Sequence, residues 1–277
     1  MSRYNLRSSS KIPMIVESKK EVVYHQEQKE VNVLPIQTIP SNLILVFDTE
    51  TTGLIPREDY SRTRDSHSRL EYMKEVYPYI LQLSYVLYDT CNKTVVEKGN
   101  YYIKIDPSII IPIQSTAIHG ITREKLEESG VSIDFALMTF YNAYKRANCI
   151  VGHNLEFDEK MIEVEVARNY KTDKEREELR ILNEEKEKYC TMKKSTNESR
   201  KMMESNRMGR MLENEFIENI NINGMMYEKR MYKKYPTLSE LYDTLFGNIP
   251  VGLHDSMVDV EACLECYLHL TNPPLTL

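Results

Sequence analysis

The chain has 277 residues, 41 % of them hydrophobic and 28 % charged, with a formal net charge of −6; that is enough for one large domain or two modest ones with a real core. No apolar run approaches the roughly 18 residues of a membrane span, and the N-terminus MSRYNLRSSSKIPMIVESKK lacks the apolar stretch of a secretory signal. The acidic balance argues against a polyanion-binding surface over the whole chain while leaving room for local basic patches.

Residues 1–40 mix Ser, Lys, Glu and Gln with little periodicity and close on Pro35 and Pro40, which reads as a flexible arm ahead of a domain over 41–277. The apolar run Leu43–Phe47 opens a strand predicted over 43–49. A charged loop over 56–70 carries Arg57, Arg62, Arg64 and Arg69, either a surface that tracks a strand of substrate or a merely solvated loop. Strands follow over 79–88 and 95–105, with a turn near Asn92. Helices are predicted over 114–128 and 132–147, separated by Ser129-Gly130. Cys149–Val151 reads as a short buried strand, and a helix runs from about Glu156 to Asn169.

Residues 171–235 are rich in Glu, Lys, Arg, Asn and Met. They read as a charged helical extension followed by an insertion without its own core. Thr237–Phe246 is an amphipathic helix stopped by Gly247, and a last helix covers 256–270. Three strands followed by alternating helices and strands give an α/β order with a mixed sheet. The five Cys are irregularly spaced and imply no disulfide framework, so an intracellular, reducing compartment (cytoplasm or nucleus) is expected, with no membrane association. Cys263 and Cys266 form a CxxC without a second Cys/His pair, and they read as buried helix cysteines in preference to a zinc site.

The informative residues are acidic. In a strand, residues two apart share a face, so Asp48 and Glu50 of "VFDTETTG" project together where a core would otherwise continue. On the last helix Ala262, Cys263, Cys266, Tyr267 and Leu270 make an apolar stripe, opposite Glu261, Glu265 and His269. Asp259 falls inside that stripe, one turn before Cys263. A core-facing carboxylate must be paired, neutralised or bound to a metal, and the last 40 residues offer no cation near enough in sequence. Asp158, in "VGHNLEFDEKMI", occupies the first turn of its helix, as a cap or a ligand. Four such acids suit hard divalent cations. Without cations, two unit charges 4 Å apart repel by about 4 kcal/mol at an effective dielectric near 20.

"FDTETTG", "HNLEFD" and "HDSMVD", with "AIHGIT" at 117–122 between the first two, resemble the motifs of the DnaQ-like, DEDDh family of 3'–5' exonucleases. The resemblance spans about residues 43–270 and implies a ribonuclease H-like fold, a mixed sheet flanked by helices. It implies Asp48, Glu50, Asp158 and Asp259 as ligands of two divalent ions, Mg2+ or Mn2+, and His254 as general base. The DEDDy sister group has Tyr four residues before the last Asp, where this chain has Asp255. Five helical residues turn about 140°, so His254 must lie in the loop before the helix to reach the same site as Asp259, and Gly252 suits that loop. An imidazole is a fitting base at neutral pH.

The resemblance further places Thr51, Thr52, Leu54, His119, Ile121 and Asn154 near the terminal nucleotide, although Leu54 and Ile121 equally suit a core. It implies that Cys190-Thr191-Met192 marks a strand, which confines the real insertion to about 195–235. The expected partner is nucleic acid with a free 3' end, single-stranded or frayed. A polymerase or another replication or repair protein is the expected protein partner. DNA is favoured over RNA. The alternatives are an exoribonuclease trimming RNA 3' ends and a catalytically silent module that binds nucleic acid or a polymerase.

Overall fold

In a computed structural model of the chain, residues 42–56, 66–170, 186–196, 202–204 and 215–272 are described. The expected arm over 1–40 and the Arg-bearing stretch 57–65 lie outside them. The centre is a five-stranded sheet in the order β3-β2-β1-β4-β5, built from β1 (Leu43–Thr51), β2 (Ile80–Asp89), β3 (Thr94–Tyr102), β4 (Cys149–Gly152) and β5 (Glu187–Cys190). The first three strands form an antiparallel meander, while β4 and β5 are parallel to β1 and to β4. This is the mixed α/β sheet expected. The strand at Cys190 is present and ends there.

Eight helices are described: α1 (Ser66–Val76), α2 (Ile113–His119), α3 (Arg123–Ser129), α4 (Ile133–Arg146), α5 (Leu155–Asn169), α6 (Thr191–Lys194), α7 (Leu238–Phe246) and α8 (Ser256–Thr271). Strand alternation sends Leu45 and Phe47 of β1 into one core with Phe140 of α4 and Met161 and Ile162 of α5. Ile44 and Val46 enter a second core with Val151 of β4 and Val260, Cys263 and Leu264 of α8. The sheet is thus sandwiched between helices, and among the described residues α8 supplies the fully buried helical residues of the second core, with Leu238 of α7 partly buried against it.

Three expectations need correction. The helix predicted over 114–128 is two helices, because Gly120 adopts φ 69° and donates its N–H to the Thr116 carbonyl as a left-handed stop. Thr122 then caps α3 by accepting from the Lys125 N–H. The strand expected to reach 105 stops at Tyr102, and Ile103 makes only an isolated bridge to Val131. Part of the expected loop over 56–70 is helical, as α1 begins at Ser66. The sequence leaves the order of the insertion open; its described residues form a three-stranded sheet, β6 (Met202–Glu204), β8 (Met225–Lys233) and β7 (Glu215–Ile222), in that order. Asn223-Gly224 at φ 53° and 86° closes the β7–β8 hairpin, and an Asn-Gly pair between alternating strands is the local signal that dictates it. The predicted charged helical extension over 171–185 lies outside the described residues.

One buried ion pair ties the layers together. Arg168 of α5 bonds Glu165 at 2.8 Å, donates to the carbonyls of Lys74, Tyr77 and Pro78 and lies 3.7 Å over the Tyr79 ring. Burial raises the Glu165 pKa, and Arg168 opposes that rise. Removing the guanidinium leaves the buried Glu165 carboxylate with only the neutral Ile80 N–H and Asn169 amide as donors and takes a donor from three carbonyls. Arg168→Ala is therefore expected to cost about 3–5 kcal/mol, read as a lowered urea midpoint, whereas Arg168→Lys should recover part of it. No helix among the described residues is long and apolar enough to cross a membrane.

Candidate active site

The sheet face that packs on α8 carries the acids. Asp48 and Glu50 continue the row of Ile44 and Val46, but they lie beyond the point where β4 pairs with β1, since that pairing ends at Val46 and Val151. The vacant strand edge is filled by a side chain. Asp158, in the first turn of α5 and 2 % exposed, accepts from the Thr49 N–H at 3.0 Å and from the Thr49 hydroxyl at 2.7 Å. The backbone of β1 therefore holds Asp158 beside Asp48.

The other half comes from the start of α8. Asp255 is its N-cap, accepting from the Met257 N–H at 3.0 Å, and Asp259 stands one turn in. His254 precedes the cap in a tight turn with φ 73°, after Gly252 at φ 89°. The turn folds back so that the His254 N–H lies 3.2–3.3 Å from both carboxylate oxygens of Asp259. Side-chain ligand atoms of Glu50, His254 and Asp259 all fall within 4.8 Å of one another. His254 is exposed, while Glu50 and Asp259 are half-buried.

The electrostatics match an anionic cluster with no Lys or Arg at its centre among the described residues. Burial raises the Asp48 pKa well above the ordinary carboxylate range, and Asp158, Asp259, Glu50 and Asp255 raise it further. Burial and the charges of Asp259, Asp158 and Asp255 push Glu50 up to about 8. Asp158 rises to about 7 by burial, against the lowering effect of the Thr49 hydrogen bonds. Asp259 rises to about 6, again by burial, opposed by the His254 N–H. A set of oxygen donors this costly to ionise fits one or more hard divalent cations.

These shifts set a pH dependence. An acid whose folded pKa is raised binds more protons folded than unfolded between its two pKa values, so stability falls as pH rises through that window. For Glu50, Asp158 and Asp259 the window runs from about 4 to about 8. With chelator present, the melting temperature should fall between pH 5 and pH 8, and added Mg2+ or Mn2+ should flatten the decline. An unchanged slope with metal would count against cation binding here.

The residues expected at the terminal nucleotide fall into different settings. Thr51 donates to the Gly53 carbonyl at 2.6 Å, and the Thr52 hydroxyl accepts from the Tyr79 N–H at 3.0 Å, so both buried hydroxyls shape the turn after β1. Ser115 of α2 donates to the Thr52 carbonyl at 2.9 Å, tying α2 to that turn. Leu54 beyond it is 85 % exposed, whereas Ile121 is 2 % exposed and belongs to the core. The Nδ1 atom of His119 accepts from the Ile121 N–H at 3.0 Å. Burial lowers the His119 pKa, against a raising backbone hydrogen bond from Thr51, and His254 lowers it further. Asn154 is exposed, adopts φ 66° and makes no side-chain capping bond to α5.

Sequence reasoning missed two supporting groups. His153 clamps the segment before α7: its Nε2 lies 3.0 Å from the Pro236 carbonyl and its Nδ1 lies 3.0 Å from the Thr191 hydroxyl. Burial depresses its pKa to about 4, so the ring is neutral, with the proton on Nε2 and Nδ1 accepting. The second group is the polar row Gln82 and Ser84 on β2. Its signal was present: the two alternate with apolar residues in "YILQLSYVLYD" and so share one face of an otherwise apolar strand. Cys263 and Cys266 are buried and free on α8, as expected of helix cysteines.

Comparisons with known proteins bear on the family and the fold. The profile of the RNase_T family, described as Exonuclease, matches residues 45–267. E. coli Exonuclease I in complex with a dT13 oligonucleotide superposes with a TM-score of 0.51 at 16 % identity, covering 82 % of this chain and 41 % of that one. The structure of Exonuclease I that "suggests how processivity is achieved" gives a TM-score of 0.53 at 16 % identity, covering 84 % and 41 %. The zinc-bound form of the E. coli ExoI–ssDNA complex gives 0.52 at 16 % identity, covering 84 % and 41 %. The likeness to these structures is one of fold, and the chain spans about four-tenths of their length. Among curated proteins no sequence matches. On the family match, the chain belongs to the RNase_T exonucleases, DnaQ-like nucleases on a ribonuclease H-like fold.

Proposed function

We propose that this chain is a metal-dependent 3'–5' exonuclease of the DEDDh group, releasing nucleoside monophosphates from single-stranded or frayed 3' ends. One observation carries the reading. Four carboxylates from three separated segments meet at the end of β1: Asp48 and Glu50 on one face of the strand, Asp158 bonded to Thr49 between them, and Asp259 within 4.8 Å of Glu50 and of the exposed imidazole of His254. A binding-only module gains nothing from a cluster that destabilises its own fold.

The four carboxylates are the proposed ligands of two divalent ions, Mg2+ or Mn2+. When bound, such ions neutralise the cluster and stabilise charge developing on the scissile phosphate and the leaving 3'-oxygen. His254 takes the proton from the attacking water, and its exposure leaves the ring free to turn toward it. Asp255 occupies the position of the DEDDy tyrosine and is committed to capping α8, which supports the histidine assignment. Leu54, projecting beyond the turn after β1, is placed to wedge against the terminal base, a contact that tolerates any sequence. Thr51, Thr52 and Ile121 contribute through the backbone they shape, and His119 and Asn154 border the same nucleotide. On domain organisation, we read 1–40 as an arm and 41–277 as the exonuclease domain carrying the insertion. The cysteine usage supports an intracellular setting.

DNA is the favoured substrate, because Exonuclease I structures of this fold hold dT13 and dA16 oligonucleotides. The test uses 5'-labelled DNA and RNA oligomers of one sequence, with paired and mismatched 3' ends, under Mg2+ or Mn2+. A ladder shortening from the 3' end of DNA supports the reading. Faster RNA shortening replaces it with an exoribonuclease. No cleavage of either under both metals leaves a silent nucleic-acid or polymerase-binding module.

A further inference from the structure

Two rows of side chains cross the sheet beneath the start of α8. Glu50 stands opposite Gln82, and Gln82 opposite Tyr102. Asp48 stands opposite Ser84, and Ser84 opposite Asn100. Directly opposed residues share a face, so each row begins with a carboxylate of the site and continues as neutral polar groups. We propose that Gln82, backed by Tyr102, is a positioning residue: it seats the first turn of α8 and so fixes where His254 and Asp259 stand relative to Glu50. The proposal rests on the exonuclease reading for its catalytic consequence.

Gln82 is 0 % exposed and uses both ends of its amide. The Nε2 group donates to Asp255 Oδ1 at 3.2 Å and to Asn100 Oδ1 at 3.0 Å, while Oε1 accepts from the Ser256 N–H at 3.4 Å. The Tyr102 hydroxyl donates to the other carboxylate oxygen of Asp255 at 3.3 Å. Ser256 is held again through a 2.6 Å hydroxyl contact with Ser84. Asp255, the cap, and Ser256, the first residue of α8, link His254 to the helical turn that ends at Asp259, and the His254 N–H closes that loop onto the Asp259 carboxylate. Every bond from β2 and β3 to this turn therefore acts on the segment carrying the proposed base and one proposed ligand.

Capping alone does not account for the arrangement, since Asp255 already satisfies the Met257 N–H. Burying area does not account for it either. Further along the same face Val86 packs against α8 as an apolar contact, and an apolar residue at position 82 would bury surface without the cost of a sequestered amide. The polar groups begin where the helix presents its reactive end. A buried donor–acceptor pair fixes direction and register in a way that non-directional apolar contact does not.

The test compares wild type with Gln82→Met, which keeps volume and removes both bonds, and with Tyr102→Phe, which removes a single hydroxyl. Hydrogen exchange of the His254–Asp259 amides is read first, because it needs no activity: both variants should exchange faster there, Gln82→Met more so, with β1 unchanged. Unchanged exchange overturns the seat whatever the enzyme does. Steady-state cleavage of a 5'-labelled oligomer is read second. Gln82→Met should lower kcat about 10–100-fold with KM within about twofold, as a misplacement of about 1 Å does, and Tyr102→Phe should lower kcat by about fivefold or less. Wild-type kcat in a folded Gln82→Met protein whose melting temperature alone has dropped would make the residue purely structural and overturn the inference. Inactive wild type would sink the exonuclease reading separately, leaving the exchange result to decide the seat.

Discussion

Asp48→Asn is expected to abolish cleavage and, in chelator at pH 8, to melt at a higher temperature than wild type. The two effects have opposite signs because one carboxylate serves two balances. Without metal the half-buried Asp48 shares its site with Asp158, Asp259, Glu50 and Asp255, and both desolvation and those charges raise its pKa. Ionising it at pH 8 costs stability that the near-isosteric amide does not forfeit. Each kcal/mol relieved appears as about 2–4 °C for a domain of this size. The gain should shrink as the pH falls, because a raised folded-state pKa costs less stability the nearer the pH comes to the ordinary carboxylate value. Activity moves the other way, by at least about 10^3-fold, because the lost ligand removes several kcal/mol of charge stabilisation at the phosphate. Mg2+ or Mn2+ should then raise the melting temperature of wild type by more than that of Asp48→Asn. Equal metal shifts in the two proteins, or a variant less stable than wild type in chelator, would remove Asp48 from the cation site.

His254→Asn should lower kcat about 10^2–10^4-fold, the range contributed by a positioned proton acceptor, with little change in stability. The residue sits at φ 73°, where Ala would be strained but Asn is tolerated. Its N–H bond to Asp259 belongs to the backbone and survives the change. Its side chain is exposed, so no core contact is lost. The metal-induced rise in melting temperature should persist, since the four carboxylates remain. The variant's rate should climb with pH as hydroxide replaces the missing base. A kcat near wild type would strip His254 of the role. Loss of the metal shift would instead make it a ligand, which its position within 4.8 Å of the Glu50 and Asp259 oxygens allows.

How far the sequence carried depends on how local each feature is. Asp48 and Glu50 were legible as a pair because strand geometry alone puts residues two apart on one face. Asp259 stood out because helical periodicity sets it inside an apolar stripe. The Gly120 break was written in "HGIT" yet read through as continuous helix, since an apolar pattern on both sides masked a left-handed stop whose Thr122 cap follows at once. The insertion hairpin was likewise announced by Asn223-Gly224, but its weak apolar content hid a sheet that exposes both faces near the turn.

By itself, then, the sequence singled out the proposed site: strand alternation set Asp48 with Glu50, helical periodicity set Asp259 inside an apolar stripe, and the order of the motifs added Asp158 and His254 by resemblance, all within a few neighbours along the chain. Only the tertiary structure decided how those groups are held. Thr49 grips Asp158 across 109 positions, Gln82 grips Asp255 across 173, and Ile121 turns into the core while Leu54 projects from it. Such pairings depend on strand register and on where β4 stops beside β1. Register is the sum of many weak contacts over the whole sheet, so no short stretch of sequence encodes it.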